Sequence, residues 1–422
     1  MRASPTIAPT GPRGRRGRTG PAVLALLVAV GSAAVLAQES PFALRAGGGG
    51  RVPFRLRSHK VHLPVTVDGV QRWFLLDSGA NVSILGRRFA DELGLALRDP
   101  GTGTGTAGSG TFRFAFADAP GMRLGDLEIL PHTMAVVERG TDGTNGHRSD
   151  GLLGADLLAR FVVDVDYPRR TLAVHPPGEW TYRGSGEVVP LRIDDAGKPR
   201  VTATIRVAGG RPLEADLLID TGDRGTVDLT APFVAEHGLL EAVSPRSLAT
   251  VGWGVSGRVE HWVGRLAEVR LGRWRWVDLP VGLAPADAQG ASALSNRSGV
   301  LGGAVLERFR VIFDLPGGRL VLEPGPEVDA AWPWDASGLF LTAAGEDLDE
   351  LRVLAVDADS PGAEAGVRDG DRVVAVDGRS VDGADLDAVR ALLAEPDRQI
   401  GVVLADAEGR ERRITLETRS RI

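Results

Sequence analysis

Apolar and polar residues alternate along "VHLPVTVDGVQRWFLLD", which ends at Asp77, and again along "RVTATIRVAGGRPLEADLLID", which ends at Asp220. A period of two around a central turn predicts a half-buried β-hairpin in each place. Helical spacing follows in "RRFADELGL" and "APFVAEHGL", closed by Gly94 and Gly238. A Gly-rich stretch and further strands come next ("MRLGDLEIL"; "LAEVRLGRW"), then a final hairpin ending "RRTLAV" or "GGRLVL". The same plan is thus written twice, mainly β, in two lobes of similar size. After a Pro-bearing stretch with Pro324, Pro326 and Pro333 the rhythm changes. "GLFLTAAG", "LRVLAVDADSPGAEAGVRDGDRVVAVDGRSV", "DLDAVRALLAE" and "IGVVLADAEGRERRITLET" predict a strand, a strand–turn–strand, an amphipathic helix and a closing hairpin.

The repeat extends to single residues. "DGLLGADLLARFVVDVD" (Asp150 to Asp166) aligns without a gap on "SGVLGGAVLERFRVIFD" (Ser298 to Asp314) at an offset of 148, which pairs Gly154 with Gly302 and Phe161 with Phe309. Each copy follows a D-[ST]-G triplet, Asp77-Ser78-Gly79 or Asp220-Thr221-Gly222. Alone, such a triplet reads as a turn, since Asp, Ser and Gly all favour turns. A carboxylate closing an apolar strand is costly to bury, however, and needs a partner or a proton. Two copies supply the partner.

These four correlated motifs resemble the pepsin and retropepsin superfamily of aspartic proteases over residues 51 to 326. The resemblance implies lobe 1 at 51–182, lobe 2 at 183–326, and a catalytic pair made of Asp77 and Asp220. Two adjacent carboxyls hold one proton between them. The ionised member takes a proton from water while the other donates to the peptide carbonyl and later to the leaving nitrogen. Gly79 and Gly222 would let the backbones approach, and the resemblance implies that Ser78 and Thr221 bond across to the opposite loop. Gly154 and Gly302 belong to the bracing element of each lobe. Gly103, Gly105 and Gly108 fall where the family places its flap, and Ala80 and Asp223 line the cleft. Asp223 departs from the small or apolar residue usual there. It either raises the pKa of the pair or is neutralised by Arg224, and in the cleft it would favour a basic substrate side chain. With both acids in one chain, the expected species is a monomer acting on polypeptides without metal or cofactor.

The last segment resembles a PDZ domain at 337–420, joined by a linker at 327–336. In that likeness Gly338, Leu339, Phe340 and Leu341 form a loop whose N–H groups receive a C-terminal peptide carboxylate.

Composition removes competitors. The 422 residues carry a formal net charge of −6 and no basic stripe with interleaved aromatics, against nucleic-acid binding. The chain has no cysteine, so thiolate nucleophiles, disulfides and Cys-held metals are excluded. Its seven histidines are scattered, without H-E-x-x-H, and G-x-S-x-G is missing. A G-x-G-x-x-G runs from Gly103 to Gly108, but the strand "TFRFAFA" follows it where a nucleotide fold needs a helix. Arg13, Arg15, Arg16 and Arg18 precede the apolar "PAVLALLVAVGSAAVLA", so residues 1–37 read as a signal peptide or a signal anchor. Either places the lobes outside the cytoplasm, in the periplasm or the medium. Membrane contact is expected only through that segment if it stays uncleaved. The expectation is an exported aspartic endopeptidase with a PDZ module for recruitment or regulation. The alternative is a non-catalytic binding protein that uses the same cleft and groove.

Overall fold

In each lobe one short strand threads between two others and so decides where the acid loop ends. Gly151–Leu153 runs parallel to Val70–Leu76 and antiparallel to Ile84–Gly86. Gly299–Leu301 does the same between Leu213–Ile219 and Val227–Leu229. The strands before each acid are apolar because both neighbours bury them: Leu76 and Ile219 are fully buried. Just beyond, the Asp77 N–H donates to the Leu153 carbonyl (2.9 Å) and the Asp220 N–H to the Leu301 carbonyl (3.0 Å). The chain leaves the sheet immediately after a fixed hydrogen bond, and the carboxyl is aimed by it.

The computed structural model describes residues 40–45, 49–104, 111–138, 146–254 and 257–422. The expected leader at 1–37, together with Gly105 and Gly108, lies outside the described residues. Among those described, lobe 1 holds an eleven-stranded sheet and lobe 2 an eight-stranded one. The fold is mainly β, with two lobes of like plan and a small α+β module after them. Short helices Arg87–Glu92 and Ala231–Glu236 follow the acid loops. Gly94 (φ 64°) and Gly238 (φ 58°) leave them in the left-handed region that glycine tolerates best.

The final hairpins do not stay within their lobes. They form a shared six-stranded sheet in the order Glu187–Pro190, Arg319–Pro324, Phe309–Asp314, Val162–Asp166, Thr171–His175, Val52–Pro53. Its centre pairs Val163 with Phe313 and Val165 with Val311. One apolar cluster accordingly runs through both lobes, while the C-terminal module has its own, around Leu341, Val353, Leu386 and Leu404. The segment between them is pinned to lobe 2: Arg308 stacks on Trp332 and donates to the Ala331 carbonyl (2.9 Å). In the module, Leu339–Ala344 is the edge strand of a six-stranded sheet and helix Leu386–Leu393 lies beside it.

Candidate active site

The two acid loops meet at the lobe boundary in a crossed arrangement. The Ser78 N–H donates to Thr221 Oγ1 (3.0 Å), and the Thr221 N–H donates to Ser78 Oγ (3.0 Å). Each hydroxyl then donates to a carbonyl of the opposite lobe: Ser78 to Ile219 and Thr221 to Leu76, both at 2.7 Å. Both side chains are fully buried, so all four bonds exclude water.

The glycines close the approach. A side chain on Gly79 would overlap the Asp220 carboxyl, and one on Gly222 would overlap the Asp77 carboxyl. Each acid therefore lies against the opposite loop while being held by its own. Asp77 Oδ1 accepts from the Gly79 and Ala80 N–H groups (both 3.0 Å), and Asp220 Oδ1 accepts from the Gly222 N–H (2.8 Å). Burial and the neighbouring Asp220 push the Asp77 carboxyl up to about 7, against the pull of Lys60 and Lys198. A carboxyl that keeps its proton to near neutrality beside a second acid is what a shared-proton pair requires.

The bracing glycines serve the same end. The Gly154 N–H donates to Ser83 Oγ (3.0 Å), and a Cβ there would strike the Val82 backbone. The Gly302 N–H donates to the Thr226 carbonyl (2.8 Å), and a Cβ there would meet Asp223. Gly103 lies on the hairpin Arg98–Thr104 and Thr111–Ala119, opposite Phe112.

Asp223 and the loop Gly338 to Leu341 both find hydrogen-bond partners close by in the chain. Asp223 makes no ion pair with Arg224. Its Oδ1 turns back to accept the Gly225 N–H (2.6 Å), and burial with Asp228 and Asp220 nearby pushes it up to about 7. Arg224 instead stacks over Phe340 of the C-terminal module (5.2 Å to the ring centroid). The loop Gly338 to Leu341 is held in a similar way. Its Gly338 N–H donates to Asp335 Oδ2 (2.6 Å) and its Leu339 N–H to Ser337 Oγ (3.1 Å). Asp335 and Ser337 thus accept the first two N–H groups of the loop from within the chain. Beside it, Arg390 donates to the Leu341 carbonyl (2.6 Å) and to Ser58 Oγ (2.5 Å). Asp387 accepts from the Ser58 N–H (3.0 Å) and Oγ (2.9 Å). The groove between edge strand and helix therefore holds a hairpin tip from lobe 1.

The module also grips lobe 2. Asp357 Oδ1 accepts from the Thr250 N–H (2.9 Å) and hydroxyl (3.1 Å), on the hairpin Ser247–Gly254 and Gly257–Leu271. Sequence reasoning passed over these contacts, and over Lys60 and Lys198. Asp228 was passed over too; it bonds His261 (3.0 Å), which in turn bonds Ser292 (3.1 Å). The register could have flagged the lysines. His62 pairs with Leu75 and Arg200 with Leu218, so Lys60 and Lys198 stand at equivalent places before Asp77 and Asp220.

Residues 63–157 match the family model described as aspartyl protease, and residues 352–405 match a PDZ-domain model. The chain resembles an aspartic protease with a C-terminal PDZ domain. Among solved structures it is similar to an aspartic proteinase from Irpex lacteus (15% identity, 67% of this chain and 99% of that one, TM-score 0.44). It is also similar to a photosystem II D1 C-terminal processing protease (36% identity, TM-score 0.19). That likeness covers 21% of this chain and 23% of the other, so this chain matches under a quarter of that protein's length. No curated protein matches the chain. The aspartyl protease match contains Asp77 but ends before Asp220; the second acid comes from the internal repeat and from the crossed hydrogen bonds.

Proposed function

We propose that the protein is an exported aspartic endopeptidase whose PDZ domain regulates access to the cleft. The observation that carries this reading is the crossed cage: each half-buried acid lies against the other loop's glycine, and Ser78 and Thr221 lock both loops in register. In the working state one proton is shared. The ionised carboxyl takes a proton from water, and the resulting hydroxyl attacks the peptide carbonyl carbon. The protonated carboxyl gives its proton to the carbonyl oxygen. Collapse of the tetrahedral species breaks the C–N bond as the protonated carboxyl gives its proton to the leaving nitrogen and the ionised one takes a proton from a hydroxyl of that species, which restores the singly protonated pair. Export rests on the basic and apolar segment at residues 1–37. Regulation rests on the PDZ contacts with Ser58 and Thr250, one in each lobe, and on the stacking of Arg224, inside the second acid loop itself, on Phe340.

The test is hydrolysis of an unfolded protein and a peptide library by wild type, Asp77→Asn and Asp220→Asn. Each variant is expected to fold and to lose roughly a thousandfold or more in rate, within the usual range of general acid–base catalysis. The wild-type profile against pH is expected to be bell-shaped, with limbs that belong to the pair. With Asp77 raised to about 7, its alkaline limb falls near neutrality. Near-wild-type turnover by either variant would sink the proposal.

A further inference from the structure

Arg297 sits two residues before the bracing strand Gly299–Leu301 of lobe 2 and is only 8% exposed. A buried guanidinium normally finds a carboxylate or carbonyls to satisfy its five donors. Here Nε is buried without a hydrogen-bond partner, and no carboxylate lies within ion-pairing distance among the described residues. The acids that might have served are taken. Asp216 pairs with Arg192 (2.9 Å) and with Arg200. Asp194 caps its own turn through the Ala196 and Lys198 N–H groups (2.9 and 3.0 Å). Lys198, next to Arg297 and to Asp220, likewise has no ion pair among the described residues. Two adjacent cations that meet Asp220 only through space, with no contact ion pair and one of them desolvated, make a costly arrangement.

The equivalent end of lobe 1 is built otherwise. The position matching Arg297 under the 148-residue offset is Ser149, which hydrogen-bonds His62 (3.3 Å). The extra cation therefore belongs to lobe 2 alone. It stands beside the acid pair on the side where the PDZ domain makes no hydrogen bond or ion pair with Lys198 or Arg297 among the described residues.

We propose that Lys198 and Arg297 form a subsite for an acidic side chain of the substrate, so that the enzyme cleaves peptides carrying Glu or Asp beside the scissile bond on the lobe 2 side. Burial and a neighbouring cation, Arg297 for Lys198 and Arg200 for Arg297, push both pKa values down, against the pull of Asp220. A substrate carboxylate bonded by Arg297 and approached by Lys198 would supply it.

The inference rests on the peptidase reading, and the experiment separates the two. A randomised octapeptide library with Glu, Gln or Lys at each position is offered to wild type, Arg297→Met, Lys198→Met and Arg297→Lys. In wild type, Glu at one position should raise kcat/KM over Gln by roughly 10- to 100-fold, as charge-assisted hydrogen bonds allow. The preference should vanish in Arg297→Met, shrink in Lys198→Met and survive in part in Arg297→Lys. Cleavage with Glu and Gln equivalent at every position overturns the subsite and leaves the peptidase standing. In parallel, full-length Asp77→Asn protein is tested by fluorescence anisotropy against labelled members of the same library. Tighter binding of Glu than Gln peptides, lost with Arg297→Met, supports the subsite even if no hydrolysis is seen. Equal binding of the two overturns it.

Discussion

The loop that starts at Asp77 continues into Ala80 and Asn81; the loop that starts at Asp220 continues into Asp223 and Arg224. Through the first three residues their geometry is the same, down to paired 3.0 Å and 2.7 Å bonds exchanged between Ser78 and Thr221. Beyond them the second loop gains a carboxyl folded back on Gly225 and a guanidinium stacked on the PDZ phenyl ring. What both copies share is what the chemistry needs from both. What only the second has ties it to the rest of the molecule, and a duplicated fold can acquire such ties on one side without disturbing the pair.

The comparison can be broken first at its symmetric part. Ser78→Ala and Thr221→Ala each remove two inter-lobe hydrogen bonds and leave buried partners unsatisfied, at about 1–3 kcal/mol per orphaned group. Chemical denaturation should show similar losses for the two variants, each with a sharp fall in hydrolysis. A large loss for one and none for the other would mean that the loops are not mechanical equals.

Its asymmetric part is probed next by Asp387→Ala, which removes the carboxylate that holds Ser58 to the PDZ helix and leaves the Arg390 bond there. With the module loosened from lobe 1, kcat/KM on folded protein substrates should rise several-fold while small-peptide cleavage changes less. No change on either substrate would leave the contact with a purely structural role.

The smallest effect concerns pH and stability. Asp77 and Asp223 both hold protons in the folded state up to about 7, against about 4 when unfolded. Between those values the folded chain binds more protons than the unfolded one, so these groups lower stability as pH rises from about 4 to about 7. In Asp223→Asn part of that slope is removed. Melting temperatures measured across this window should fall less steeply than in wild type; parallel curves would show that Asp223 does not titrate there.

The β content, the duplicated plan and the closing α+β module were legible because strand periodicity and a gapless repeat are local signals. Asp77 and Asp220 were legible for the same reason: each ends an apolar run, and the run occurs twice. Arg224 was not. Its neighbours in sequence gave it Asp223 as the nearest charge, yet the module brings Phe340 to it from 116 positions away. Nor could sequence show that Asp335 answers the Gly338 N–H group, since an acid two or three residues ahead of a loop reads as an ordinary linker residue. Side chains that pack across module boundaries follow no period, and the pattern of the chain is silent about them.

The inter-lobe sheet bears on how the chain comes off the ribosome. Until residues near Phe313 are made, the edge of Val162–Asp166 is unpaired, and an open apolar edge invites a second copy. The register is two-fold symmetric: Val163 faces Phe313 and Val165 faces Val311, so two lobe 1 fragments would pair in the same frame. That frame would set Asp164 opposite Asp164. In the finished protein Asp164 faces Ile312 and is held by Arg310 (2.8 and 2.7 Å) and Arg51 (2.7 Å). Like charges directly opposed on a sheet repel. A lobe 1 that paired with a second copy of itself would thus set two Asp164 carboxylates face to face, with Arg51 but without Arg310 to hold them.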